Sequence, residues 1–127
     1  MRQPARWPMA VLALGIGACA VDTITAEAPK AVSELPIAPF EIHEECVQLV
    51  PGDRLDYRFE AQRPVTFHIY YQEGITFVAP VSRADVTEYS GVFNASYERR
   101  YCLQWEAGQE GAIIEYRIRL LPRSQRP

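Results

Sequence analysis

Residues 101–105 read Tyr-Cys-Leu-Gln-Trp, and this stretch decides the fold that the sequence predicts. It combines one cysteine with large apolar and aromatic side chains, which is typical of a β-strand against a core. Cysteine occurs only at positions 19, 46 and 102. If Cys19 belongs to an export signal, Cys46 and Cys102 are left as the one possible pair, and exported chains meet oxidising conditions. We therefore expect a Cys46–Cys102 disulfide that ties the end of the domain to its beginning.

The first 19 residues have the parts of a secretory signal. Arg2 and Arg6 give a positive start, and residues 9–18 form an uncharged, mostly apolar run. A helix needs about 20 apolar residues to cross a hydrocarbon core, so this run is too short for a permanent span. The sequence therefore predicts an export signal over residues 1–19.

The end of the signal predicts a lipid anchor. The Ile-Gly-Ala-Cys of residues 16–19 resembles the lipobox of bacterial lipoproteins, although Ile16 replaces the commoner leucine. The resemblance implies lipidation of Cys19, with several acyl chains for stable attachment to the membrane. Ala20 follows the cysteine, where Asp would retain a lipoprotein in the inner membrane, so the resemblance implies the outer membrane of a Gram-negative bacterium, facing the periplasm. An alternative stays open, because Ala18–Ala20 also fits an A-x-A site whose cleavage releases a soluble periplasmic protein.

The mature chain is mildly acidic. The sequence has 13 basic and 16 acidic residues, and the signal contains two of the basic ones and no acidic one. The remaining 11 basic and 16 acidic residues give a formal charge of −5. Nucleic-acid binding depends on positive patches, so this balance argues against a nucleic-acid partner. The length after the signal suits one small domain.

The pattern of residues changes twice after the signal. Residues 20–40 are rich in Ala and Pro and poor in large apolar residues, which predicts a flexible tether. Residues 41–122 consist of short alternating runs separated by turn residues, which predicts an all-β domain. Seven or eight antiparallel strands indicate a β-sandwich with an inter-sheet disulfide. The runs are 45–50, 54–60, 65–71, 75–79, 85–89, 91–95, 98–105 and 113–120. Residues 123–127 remain as a basic tail.

The domain resembles the GOLD domain of the p24 (emp24) secretory proteins. The resemblance rests on a cysteine in the first strand, alternating strands at 55–59 and 65–69, a Gly-Val-Phe step at 91–93, and the Tyr-Cys-Leu of residues 101–103. It implies a β-sandwich whose two cysteines form a disulfide and which serves as a recognition module. The sequence shows no coiled coil, C-terminal span or sorting tail of the p24 kind. We therefore do not expect the cargo-receptor role to carry over.

The sequence predicts no catalytic residues and no cofactor. Ser82, Ser90 and Ser96 lack a G-x-S-x-G elbow, and no glycine-rich phosphate loop is present. His43 and His68 are too few for a zinc set, so no metal site is expected. We expect a non-enzymatic binding module. The alternative is a soluble periplasmic metal-binding protein or enzyme that uses His43, His68 and nearby carboxylates.

The outward face of the strand at 65–71 carries the predicted binding residues. Thr66, His68 and Tyr70 alternate with apolar residues there. Such a polar and aromatic patch predicts a weak site for an envelope protein or a glycan, while an ordinary exposed sheet face has the same pattern. Trp105 is either a sugar-stacking platform or, more commonly beside a disulfide, a core residue.

The remaining charged groups are expected to be solvated. The acidic ones lie before a strand, at a turn or at an outward strand position, and they are Glu44, Glu45, Asp53 and Asp56. The basic ones make the carboxyl end positive, and they are Arg117, Arg119, Arg123 and Arg126. A basic end near an anchor is suited to contact with anionic lipid, and a solvated tail is the simpler interpretation.

Overall fold

The computed structural model describes residues 24–122, which form six antiparallel β-strands. The strands are β1 Lys30–Ile37, β2 Ile42–Leu49, β3 Arg54–Glu73, β4 Thr76–Asn94, β5 Arg99–Ala107 and β6 Ala112–Leu121. Among these residues, the structure contains no apolar helix of membrane-spanning length. The predicted signal, the lipidation at Cys19 and the basic tail with Arg123 and Arg126 lie outside the described residues.

A single curled sheet contains all six strands, and β3 is its central strand. The order is β1-β6-β3-β5-β2, and β4 pairs with β3 outside this path. The first half of β3 pairs with β6 over residues 54–61. The second half pairs with β5 over residues 65–70. We call the first half of β3 with β6 and β1 the β6 arm, and the second half with β5 and β2 the β5 arm.

The all-β class is confirmed, but the expected two-sheet sandwich of seven or eight strands is corrected to this six-stranded curled sheet. The runs 54–60 and 65–71, predicted as separate strands, are one strand because Pro64 does not end the pairing. Pro64 lies where the register with β4 shifts, between Glu60 and Val65. A strand bends at such an irregularity and tolerates the missing N–H of proline there. The runs between 75 and 95 merge in the same way into β4, across Pro80.

The apolar alternation of the strands builds one core between the two arms. Both halves of β3 contribute fully buried side chains, including Leu55 from the first half and Phe67 from the second. The rings of Phe59 and Phe67 meet across the bend with centroids 4.8 Å apart. Tyr116 of β6 stacks on Trp105 of β5 at 4.5 Å. The inner faces of the arms therefore pack against each other although β5 and β6 share no ladder.

The flexible tether expected over residues 20–40 is corrected where the structure describes it. Residues 30–37 form β1, which pairs antiparallel with β6. Ile24 and Ile37 are buried, and β1 packs further apolar side chains against the core. A bulge between Val32 and Leu35, with Glu34 at a φ of 50°, interrupts the alternation that would have indicated this strand. The edge of β6 supplies the hydrogen-bond partners that the segment lacks by itself.

The Cys46–Cys102 disulfide is present, but it joins neighbouring strands of one sheet. The two residues are register partners on β2 and β5, with Cα atoms 4.0 Å apart. Tyr101 and Leu103 point into the core, so Cys102 between them projects from the outer face. The expected inter-sheet bond is thus corrected to a bond that fastens the edge strand β2 to the sheet from outside.

Replacing Cys46 and Cys102 together by alanine is expected to lower the free energy of unfolding by roughly 4 kcal/mol. The reason is that the bond closes a loop with a sequence separation of 56 in the unfolded chain. Urea unfolding with and without reductant measures the effect. Reductant should move the midpoint of the wild type to that of the double variant and leave the variant unchanged. Equal midpoints for the oxidised wild type and the variant would contradict the prediction.

Candidate functional site

The outer face of the β5 arm carries the residues that the sequence singles out for binding. Thr66, His68 and Tyr70 are half-buried and alternate with Val65, Phe67 and Ile69, which are in the core. The three side chains therefore project away from the core. That they bind a partner stays a prediction.

A hydrogen-bond network joins His68 and Tyr70, but not Thr66, to side chains of β2 and β5. Tyr70 Oη donates to Glu44 Oε1 at 2.6 Å, and Gln104 Nε2 donates to the same oxygen at 2.8 Å. His68 Nδ1 lies 3.3 Å from Gln104 Oε1. Burial and the hydrogen bond to Glu44 raise the pKa of Tyr70 to about 12. The phenol is therefore a protonated donor at neutral pH, and the network fixes the ring on the face.

The same face continues onto the β3–β4 hairpin, where large apolar side chains are exposed. Phe77 is 64% exposed and Ile75 is 95% exposed. The Phe77 ring contacts Tyr70 with centroids 5.5 Å apart. Gly74 has a φ of 63° at the first central position of the two-residue loop, where glycine is suited to a hairpin. We call Thr66, His68, Tyr70, Ile75 and Phe77 the Tyr70 face.

Sequence reasoning missed the hairpin half of this face. Ile75 and Phe77 were expected to be ordinary strand residues. In the sequence, the only signal that these two side chains are exposed is their place directly after the turn at Gly74. The direction of the Phe77 ring is set by the pairing of Phe77 with Gln72. The aromatic contact to Tyr70 follows from that register.

Glu44 also lies beside the disulfide. Its carboxylate and the sulfurs of Cys46 and Cys102 are the possible metal ligands that come together among residues 24–122, within 4.8 Å of one another. The two sulfurs are bonded to each other. The oxidised protein therefore does not offer the thiolates that a metal such as zinc would take.

The opposite, inner face of β2 contributes a second polar cluster. Tyr116 Oη donates to Glu45 Oε1 at 2.7 Å and lies 2.9 Å from His43 Nε2. The His43 ring stacks on Trp105 at 5.9 Å, and Lys30 Nζ is 3.8 Å from Glu45 Oε1. Burial, followed by the hydrogen bond to Glu45, raises the pKa of Tyr116. Lys30 and Glu45 belong to the edge strands β1 and β2, so this cluster closes the gap between the two arms.

These positions correct several expectations about charged and histidine residues. His43 faces inward from β2 while His68 faces outward from β3, so the two histidines lie on opposite faces of the β5 arm and do not form one site. Glu45 is part of the inner cluster rather than solvated. Asp53 is only 8% exposed and accepts the Val50 N–H at 2.9 Å, because its turn folds the carboxylate back onto the backbone.

Three further expectations are settled by contacts of the described residues. Trp105 is 1% exposed and is a core residue. Asp56 pairs with Arg119 at 3.0 Å on the outer face of the β6 arm. Glu44 is exposed, as expected, but it accepts the two hydrogen bonds of the Tyr70 network.

Tyr116→Phe is expected to lower the free energy of unfolding by about 1–2 kcal/mol, because Glu45 loses its donor in a half-buried setting. Tyr97→Phe is the matched control, since the Tyr97 side chain is 54% exposed. Urea unfolding of both variants against the wild type measures the difference. Equal stability of the two variants would contradict a stabilising role for the inner cluster.

Comparison with known proteins shows a shared fold and no family. No protein-family model matches the chain, and no curated protein matches its sequence. Among solved structures, the chain is similar to PliG of Aeromonas hydrophila, a periplasmic lysozyme inhibitor of g-type lysozyme. The TM-score is 0.57 at 8% identity, over 73% of this chain and 86% of that one.

A de novo designed double-stranded β-helix matches 73% of this chain and 97% of its own, with 23% identity and a TM-score of 0.34. That score is too low to carry an argument. The comparisons give no evidence for the GOLD-domain or lipoprotein families that the sequence resembles. The structure thus has a β-fold similar to that of a periplasmic inhibitor protein.

Proposed function

We propose that the chain is a non-enzymatic binding module of the bacterial cell envelope that holds a protein partner on the Tyr70 face. The observation that carries this proposal is the exposure of two large apolar side chains, Ile75 and Phe77, at the end of a two-stranded hairpin. Folding alone gives no reason to leave both in water. Their burial in an interface would remove this apolar surface from water, which is favourable.

The surroundings of the hairpin suit a protein interface. Protein interfaces combine a buried aromatic centre with a polar, hydrogen-bonded rim. Here Phe77 and Tyr70 are in ring contact, and Glu44, Gln104 and His68 provide the polar groups beside them. The network holds Tyr70 in place before binding, which lowers the entropy lost on association.

The fold supports a binding role over a catalytic one. PliG, which has a similar fold, is an inhibitor of g-type lysozyme. We propose that the partner of this chain is likewise an enzyme of the cell envelope, and a g-type lysozyme is the first protein to test. The other ligand that the sequence suggests for this face is a glycan, and no contact among the described residues favours it.

We further propose that the module is attached by lipid on Cys19 to the outer membrane and faces the periplasm. The lipobox-like residues 16–19 and the following Ala20 support this location. We propose the outer rather than the inner membrane because Ala20, and not an aspartate, follows Cys19. Cleavage after Ala20 is the alternative and would give a soluble periplasmic module with the same binding face.

The double variant Ile75→Ser and Phe77→Ser is expected to bind a purified g-type lysozyme at least about tenfold more weakly than the wild type, because two apolar side chains lose their buried contact. Val92→Ser is the matched control, since Val92 of β4 is 50% exposed and pairs with Asp56, away from the Tyr70 face. Calorimetric titration and inhibition of lysozyme activity are the two readouts. Failure of the wild type to bind contradicts the lysozyme proposal, and equal loss in Val92→Ser contradicts the assigned face.

The mature protein is expected to carry lipid on Cys19, because the sequence before it resembles a lipobox. Intact mass spectrometry of the protein from the membrane fraction measures the added acyl groups. Cys19→Ser should remove that mass and move the protein to the soluble fraction. A mature chain that begins at Val21 would contradict the anchor and leave the binding proposal untouched.

A further inference from the structure

The outer face of the β6 arm carries two arginines side by side that the Tyr70 face does not use. Arg58 of β3 and Arg117 of β6 are register partners, and both are exposed. Within residues 24–122 neither guanidinium takes part in an ion pair or a side-chain hydrogen bond. Like charges placed directly opposite each other destabilise a sheet. Stability therefore does not account for this pair.

A row of carboxylates faces the same way, two residues further along the strands. Glu60 is the register partner of Glu115 on one side and of Glu88 on the other. Side chains two apart on one strand are about 6.6–6.8 Å apart. The charge on this face therefore changes sign within one pleat. No ion pair joins these carboxylates to Arg58 or Arg117 within the described range.

We call the arginine pair and the row of glutamates the two charged stripes. Both stripes line a single open groove with a volume of about 850 Å³, which Ala31 and Ser33 of β1 border. That size lies within the roughly 300–1,000 Å³ of ligand-binding clefts. A smaller depression of about 240 Å³ beside it adds Asp56 and Arg119. Those two side chains are already paired with each other. Arg58 and Arg117 are thus the guanidiniums left for a ligand.

We infer that this groove binds an extended segment of a protein partner that carries an acidic and a basic side chain at positions i and i+2. Two adjacent guanidiniums match the two oxygens of a carboxylate. The three glutamates match the ammonium of a lysine. An extended peptide places residues i and i+2 on one side at about 6.8 Å, which is the spacing of the stripes.

Charge complementarity favours such a peptide over an anionic membrane. A surface of lipid phosphates would meet Glu60, Glu88 and Glu115 as soon as it reached the arginines. Like charges at that distance repel each other. The peptide satisfies both stripes at once. This inference concerns a different face from the proposed function and does not depend on it.

Nuclear magnetic resonance titration of the ¹⁵N-labelled full mature chain tests the inference. The probes are three capped tripeptides, Asp-Gly-Lys, Asp-Gly-Asp and Lys-Gly-Lys. The mixed peptide is expected to shift the amides around Arg58 and Glu60 and to bind about tenfold tighter than either single-sign peptide. Arg58→Gln with Arg117→Gln should lose about tenfold in affinity for the mixed peptide.

Arg63→Gln is the matched control, because Arg63 is exposed and pairs with Glu110 away from the groove. It should keep wild-type affinity, and so should the Ile75→Ser and Phe77→Ser variant, even if that variant no longer binds a lysozyme. Equal binding of Asp-Gly-Asp and Asp-Gly-Lys overturns the inference, as does unchanged affinity in the double glutamine variant. Binding to phosphatidylglycerol vesicles that requires Arg58 and Arg117, without peptide binding, assigns the arginines to the membrane and overturns it too.

Discussion

The continuity of β3 is the constraint on which the rest of the structure depends. Its first half carries β6 and its second half carries β5, so the bend between the halves decides how the arms face each other. Phe59 and Phe67 meet across that bend at 4.8 Å. Because side chains alternate along a strand, every second residue of both halves points into the same core. One strand therefore places two sheet arms over a single core.

This arrangement leaves two outer faces with different chemistry. The β5 arm presents an aromatic and apolar surface whose polar groups are already linked through Glu44 and Gln104. The β6 arm presents stripes of opposite charge. Between the arms, His43, Glu45 and Tyr116 fill the gap with hydrogen bonds. Except for Ile75 in the hairpin loop, the residues of both outer faces lie on paired strands, which keeps their geometry more precise than loops would.

The alternation of apolar and polar residues was enough to predict which way the strand side chains point and which of them form the core. Leu55, Phe67 and Ile118 are fully buried, as their pattern in the sequence indicates, and the one available cysteine pair is bonded. The outward position of Tyr70 followed from the same rule. Each of these depends only on local periodicity and on the number of cysteines.

What the sequence could not show depends on partners distant along the chain. The strand β1 exists because β6 offers an edge, and its bulge hides the periodicity. His43 and Glu45 share the inward face of β2 with Leu49, but their contacts with Tyr116 of β6 depend on a partner far along the chain, which no local pattern records. The pairing of Arg58 with Arg117 likewise requires the register.

Amide hydrogen exchange along β3, measured with increasing denaturant, tests most directly whether one strand unites both arms. The account predicts that amides in residues 54–61 and in residues 65–70 have the same free energy of opening, since the two halves share one core and unfold together. Exchange of one half at low denaturant while the other half stays protected would contradict it.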